Sequence, residues 1–294
     1  MTRTRSTIRW NPTWLCGIAI GAASTLSACG GPVPIGSSAN LGNGNNGGGG
    51  TINLGTKPSG TSTGVGVGDG TGCDNNIKAV IRDFRGWASS ASDPGGAADK
   101  HPDFEPAQKV AEQGIAAATL GSDQKPTFAN TAGIQSVTSA DTFSQWYRDT
   151  DGVNMPFPVD LPLTADPTDS SSLSYDNQVF FPIDGKGFGN QGQTHNYSFT
   201  TEIHTSFTYK GGEKFTFVGD DDVFVYVNNH LAIDLGGIHS ALTGTVDFDA
   251  QASQFGIEKG KTYNMDIFHA ERHVIASHFR MQTKFECLVS YVVP

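Results

Sequence analysis

Gly219-Asp220-Asp221-Asp222-Val223-Phe224-Val225-Tyr226-Val227-Asn228-Asn229-His230 decides how this chain folds. Val223, Val225 and Val227 alternate with Phe224 and Tyr226, the period of a β-strand, and Asn228-Asn229 reads as the turn into a second strand. The three carboxylates at the mouth of that strand repel one another. In a site shielded from water each pair costs on the order of a few kcal/mol unless a proton or a hard cation neutralises it. Calcium, which takes six to eight oxygen ligands, is the expected partner of Asp220 and Asp221. The bland alternative is a solvated acidic turn.

Strand signals continue on both sides of this hairpin. Upstream lie Asn196 to Thr201, Glu202 to Tyr209 and Lys214 to Val218. Downstream lie Leu231 to Leu235, Thr243 to Phe248, Tyr263 to His269 and His278 to Val289. Turn residues separate most of them, and such spacing predicts an antiparallel sandwich or barrel. Alternation at Tyr197, Phe199 and Thr201 and at Phe215 and Phe217 predicts one buried and one wet face. An apolar run from Ile77 to Phe84 reads as a first strand. Only Ala107 to Leu120 and Ala140 to Arg148 read as helices, the second with Asp141 as its N-cap. The expected class is mainly β, an antiparallel β-sandwich or barrel with long loops and one or two short helices.

The N-terminal quarter has another character. Arg3, Arg5 and Arg9 precede a short apolar run closed by Leu26-Ser27-Ala28-Cys29. This reads as a secretory signal, too short for a bilayer span of ~20 apolar residues. Leu-Ser-Ala-Cys resembles the lipobox of bacterial lipoproteins, which makes Cys29 the lipidated first residue of the mature chain. Gly30 after it fits sorting to an outer membrane. Ordinary signal cleavage beside an incidental cysteine is the plainer reading. Residues 29–72, rich in Gly, Ser and Asn, cannot form an apolar face and read as a flexible tether. The expected organisation is therefore signal peptide 1–28, tether 29–72 and folded domain 73–294.

Net charge is −10 over 294 residues, and losing residues 1–28 removes three arginines and no acid, leaving −13. Such a surface makes nucleic acid an improbable partner and suits divalent cations and neutral polymers. Of the four cysteines, Cys73 and Cys287 remain for the folded part. In an exported protein they are expected to pair, stabilising the fold by ~4 kcal/mol or more in the chain-entropy model.

The motifs accumulate into a pattern. Phe180-Phe181-Pro182-Ile183-Asp184-Gly185, Gly187-Phe188-Gly189-Asn190, His195-Asn196-Tyr197, Phe215 to Val223, Asp234-Leu235-Gly236-Gly237-Ile238-His239 and Ala270-Glu271-Arg272-His273 together resemble the fibro-slime domain. That domain occurs in surface proteins of cellulose-degrading and other bacteria and of slime moulds. Ile81-Arg82-Asp83-Phe84, His101 to Glu105 and Trp146-Tyr147-Arg148-Asp149 fit upstream, so the resemblance runs from about residue 77 to 287. It implies a variant of the carbohydrate-binding β-sandwich named after the anthrax protective antigen. In yeast adhesin members an aspartate pair holds calcium, and the ion holds sugar hydroxyls. The pair maps onto Asp220 and Asp221. Asn228, Asn229, Asp234 and His239 become expected ligand-binding positions, and Asp222 serves the turn or supports the ligands from behind. His278 and Ser240 depart from the pattern and bear on ligand preference.

Other chemistries find less in the residues. His269, Glu271 and His273 share a face if the strand continues, which raises zinc, but the helix-borne His-Glu-x-x-His of zinc proteases is absent, and structural hydrogen bonding by Glu271, Arg272 and His273 inside the domain is the preferred reading. Glycoside hydrolysis needs two carboxylates ~5–9.5 Å apart; acids are too plentiful here to discriminate. Trp87, Trp146 and Tyr147 are core aromatics or sugar-stacking platforms. The expected protein is a lipid-anchored, non-enzymatic surface adhesin that binds carbohydrate or extracellular polysaccharide through calcium. A structural or protein-interaction domain whose loops calcium merely stiffens is the rival, and a glycan-processing enzyme comes third.

Overall fold

The structure, a computed structural model, describes residue 73 and residues 75–86, 99–106, 109–129 and 131–293. The expected signal peptide, Cys29, the 29–72 tether and Trp87 lie outside the described residues. All described residues fall within one compact unit, Ile52–Pro294.

Two antiparallel sheets face each other, as expected. The larger has seven strands, in the order β2 (Asn154–Pro162), β1 (Asn76–Phe84), β5 (Phe199–Thr208), β10 (Thr262–Glu271), β7 (Asp222–Val227) and β8 (His230–Leu235), with β12 (Leu288–Tyr291) also paired to β5. The smaller runs β3 (Thr164–Ala165), β4 (Leu173–Asn177), β11 (Phe279–Thr283), β6 (Lys214–Gly219) and β9 (Leu242–Asp247). Phe215 and Phe217 of β6 and Phe279 and Met281 of β11 meet Ile203, Phe207, Val225 and Ile267 of the larger sheet in the central core. Their less buried neighbours, Lys214, Thr216 and Val218, face the other way, so the small sheet has the wet face that period-two alternation demands.

The larger sheet does not. β5 is buried at nine successive positions, Phe199 to Phe207, because a strap drawn from residues 99–150 covers its outer face. The alternation in β7 divides accordingly. Val223, Val225 and Val227 join the central core, while Phe224 and Tyr226 pack with Phe143, Trp146, Tyr147 and Phe268 in a second core beneath the strap. Each such fully buried side chain contributes ~1.5–3 kcal/mol.

Several sequence expectations are corrected. Residues 109–120 form no helix; their backbone bonds go sideways, Ala129 N to Ile115 O, Leu231 N to Ala118 O and Ala117 N to Thr127 O, with Gly114 at φ 84 breaking any helical run. The second predicted helix shrinks to α1 (Ala140–Ser144). Its N-cap is Ser139, in a reciprocal capping box with Thr142, and Asp141 lies in the first turn. The two strands expected over Asn196 to Tyr209 are one, β5, and His278 to Val289 is two strands, β11 and β12. The unpredicted α2 (Phe248–Phe255) is capped by Asp247 and closed by Gly256 at φ 62. The unpredicted β2 is an edge strand whose Pro156, Pro158 and Pro162 oppose Arg82, Val80 and Asn76. All three share one parity, so their missing N–H groups fall on the side away from β1, where an edge strand tolerates proline.

The Cys73–Cys287 disulfide forms, with Cα atoms 4.9 Å apart across 214 residues of sequence.

Candidate functional site

The acidic triplet spans the step from β6 of one sheet to β7 of the other, and all three carboxylates are buried. The Asp220–Asp221 peptide bond is cis. Each side chain goes a separate way. Asp222 faces Arg272, whose Nε donates at 2.6 Å, and accepts Gly237 N at 2.6 Å on its other oxygen. Asp221 accepts His239 N at 3.2 Å and Arg272 N at 3.1 Å. Asp220 Oδ1 accepts His278 N at 2.5 Å. The sequence-based division of Asp222 from its two neighbours has this physical content: Asp222 has a guanidinium, whereas Asp220 and Asp221 have only backbone amides.

Burial pushes the Asp220 carboxyl up, and burial together with the neighbouring Asp222 pushes Asp221 well above the usual carboxylate range. A third acid, Glu271 at the end of β10, shares the neighbourhood. It is wholly buried, and burial plus repulsion from Asp221 and Asp220 holds its proton well above the ordinary range. Ser277 is its side-chain hydrogen-bond partner, while the buried His278 Nε2, nearby in sequence, has no partner. Orphaned buried polar atoms are uncommon in folded proteins and mark places where a ligand, ion or water belongs.

Arg272 anchors the triplet from behind. It is fully buried, donates to the carbonyls of Asp103 and Ser136, each at 2.8 Å, and lies 4.5 Å from the Trp146 ring. Trp146 Nε1 in turn donates to Asp103 at 3.0 Å. The strap thus sets the guanidinium, and the guanidinium sets Asp222. Trp146 and Tyr147 are 0 % exposed, so they are core residues and not sugar platforms.

In front of Asp220 and Asp221 opens a cavity of about 280 Å³, lined also by His239, Ser240, His273 and Ile275. His239 therefore stands where the sequence placed it. Asn228 and Asn229 do not: they form the turn at the far end of β7, in left-handed conformation at φ 47 and 68, with Nδ2 of Asn228 on Phe255 O and Oδ1 of Asn229 on Leu120 N. Six residues of strand separate them from the aspartate pair, ~20 Å at the usual rise. Asp234 accepts Gly114 N at 2.7 Å and so holds the strap, with its Oδ1 buried and unpartnered.

The zinc reading finds no geometry. Burial pushes His269 down to about 4, and it is neutral among Phe180, Phe199 and Phe279, bonded to Asp220 O at 2.7 Å. His273 is paired with Glu105 at 2.9 Å. Among the described residues no group of three or more His, Cys, Asp or Glu side chains is arranged to hold a metal ion. Sequence reasoning gave Glu271 only a zinc role or a structural one. Its closeness to the pair depends on β10 lying beside β7, which periodicity alone does not reveal.

Residues 168–288 match the profile of the PA14 domain. Among curated proteins the chain is similar to Protein psiR of Dictyostelium discoideum, 36% identical over 205 residues, which cover 64% of this chain and 20% of that protein. It is also similar to Protein psiD of the same organism, 39% identical over 193 residues, 60% of this chain and 37% of that protein. The chain thus spans well under half the length of these relatives. Among solved structures it is similar to a PA14 sugar-binding domain from an RTX adhesin, with a TM-score of 0.29 and 8% identity over 74% of this chain and 99% of that one.

Proposed function

We propose that this protein binds carbohydrate or extracellular polysaccharide in a calcium-dependent way and serves adhesion at a cell surface, to which Cys29 would tether it by lipid, in the outer membrane of a bacterial envelope. The observation that carries the reading is the buried pair Asp220 and Asp221 opening on a cavity, with the protons of both held up by burial. Hard oxygen donors on a tight loop suit calcium. The match of residues 168–288 to the PA14 domain supports the carbohydrate part of this reading.

In this scheme Asp220 and Asp221 hold the ion, which supplies coordination to sugar hydroxyls. Arg272 keeps Asp222 out of the way, and the Gly236–Ser240 loop shapes the ligand. With only two aspartates offered, the remaining oxygens come from backbone carbonyls and the sugar itself, and binding of the two is linked. Asn228 and Asn229 take no part. One observation favours the rival reading of a structural or protein-interaction domain: both oxygens of Asp221 already accept backbone amides.

Calorimetry with a panel of glucans and galactans, in calcium and in chelator, tests the reading. Heat that disappears with chelator, and in Asp220→Ala and Asp221→Ala, is expected. Binding that survives all three changes refutes the bridging role. Release of reducing sugar would bring back the enzyme, and unchanged membrane partitioning of Cys29→Ser would remove the lipid anchor.

A further inference from the structure

The loop between β4 and β5 carries a cluster that the aspartate site does not use. Phe181 packs against the central core from the rim. The His195 ring lies flat on it, centroids 4.0 Å apart and planes within 5°. Tyr197 stands edge-on to both, at 4.9 Å from Phe181 and 6.0 Å from His195. Asp184 bonds His195 Nδ1 at 2.7 Å and accepts Asn196 N at 2.7 Å, while Thr194 Oγ1 lies 3.1 Å from the Tyr197 hydroxyl. The imidazole and the carboxylate are each 36% exposed. From the core outward the order is Phe181, His195, solvent.

This arrangement is built, not incidental. The buried Asp83 accepts Phe188 N at 2.5 Å and Asn196 Nδ2 at 2.8 Å, and Arg85 lies 4.0 Å above the Phe188 ring. A Cβ at Gly187 would meet Asp83 Oδ2 at 2.2 Å, and this glycine has φ 58. The loop is therefore pinned from within while its aromatic edge stays outside. It also stands at the aspartate end of the sandwich. Phe199, the first residue of β5, pairs with Glu271 and Asp83, and Phe180 N donates to Ser277 O at 2.9 Å.

We propose that Phe181, His195, Tyr197 and Asp184 form a second, metal-independent subsite for a hexopyranose ring of the same polysaccharide. A pyranose offers an apolar C–H face to a flat ring and hydroxyls at its edge. The imidazole supplies the flat ring, backed by Phe181 and walled by Tyr197, and the exposed Asp184 carboxylate accepts from the hydroxyls. Apolar contact with a few fixed polar groups is the usual composition of a small-ligand site. The inference shares the carbohydrate reading above but not its calcium.

The test is an NMR titration of the full chain with cellohexaose and with β-1,4-galactohexaose in EDTA, following the backbone amide resonances of the β4–β5 loop together with the His195 and Tyr197 rings. Saturable shifts with at least one sugar are expected, weakened about tenfold in His195→Ala and in Asp184→Asn and unchanged in Asp220→Ala. Native dispersion of the remaining resonances separates lost binding from lost folding. Absence of shifts with both sugars overturns the subsite, as do shifts that persist in a His195→Ala/Tyr197→Ala variant. If calcium-dependent heat fails while these shifts appear, the aspartate site falls and the subsite stands; the converse pattern does the opposite.

Discussion

Two buried acidic clusters share the larger sheet, and they are treated in opposite ways. On β5 and β10, Glu202 lies against Arg82 at 2.5 Å, Lys125 at 3.4 Å and His204 at 2.7 Å, and His204 reaches Asp266 at 2.7 Å with its other nitrogen. Burial opposes these charges, but the His204 hydrogen bond and the surrounding cations hold Glu202 down at about 2, and the two carboxylates push His204 up to about 9. At the aspartate end the one guanidinium, Arg272, is bonded to Asp222, burial outweighs what reaches the neighbours, and the protons of Asp220, Asp221 and Glu271 are held up instead. Where the fold needs buried charge only to dock Lys125 and the rest of the strap, it supplies the counter-charge itself. Where the guanidinium is taken by Asp222, the neighbouring acids keep their protons.

Breaking the paired cluster has the largest expected effect. Glu202→Gln leaves Arg82, Lys125 and His204 buried without their shared anion and is expected to cost about 3–5 kcal/mol in denaturant unfolding. Asp221→Asn, by contrast, is expected to leave stability in EDTA unchanged or slightly raised; a loss as large as that of Glu202→Gln would erase the distinction between the clusters.

Acidity sharpens the comparison next. The folded pKa of His204 lies above its unfolded value of about 6.5, so its contribution, up to about 3 kcal/mol, is complete below pH ~6.5 and is lost as pH rises toward about 9. Glu202 is depressed, so its contribution is complete above about pH 4.5 and is lost as pH falls toward about 2. The paired cluster therefore gives a plateau between about pH 4.5 and 6.5. Asp221 and Glu271 have the sign of His204: what they contribute is present below the ordinary carboxylate range and fades above it. Thermal unfolding across pH should show the alkaline decline flattened in His204→Asn, and a profile unmoved by that change would count against the assignment.

Calcium at about a hundredfold its dissociation constant should stabilise the wild type by about 2.7 kcal/mol, leave Asp220→Ala unaffected, and do the same for Glu202→Gln as for wild type. The smallest effect is expected at Asp149, the exposed partner of Arg82 at 64% exposure. Asp149→Ala should cost less than about 1 kcal/mol, measured in the same denaturant series.

The sequence made the hairpin at Val223–Val227 legible because valine and aromatic positions alternate there, and both faces proved apolar for different reasons. Phe215 and Phe217 were legible for the same cause. β2 was not, since three prolines obscure a strand that only an edge position permits. The strap was not, because the backbone bonds that dock it on the sheet connect residues more than a hundred positions apart, as with Leu231 and Ala118, and no local pattern records that. Asp220, Asp221 and His239, which the motif grouped, line one cavity. Asn228 and Asn229 share that motif but sit across the length of a strand, which a linear reading compresses to a few residues. Glu271 joined the aspartates only through strand pairing.

The Cys73–Cys287 bond has a mechanical consequence. β1 begins just after Cys73 and runs antiparallel to Phe199–Ile203 of β5, so its first residues point toward the late half of β5, where β12, just after Cys287, is paired; the staple thus sits at the opposite end of the sandwich from Asp220. A pull between Cys73 and anything gripped at the loop end runs along the strands. The rungs of each ladder then bear load together in shear and are not unzipped one by one, while tension between Cys73 and the C-terminal segment passes through the covalent bridge and loads β12 alone.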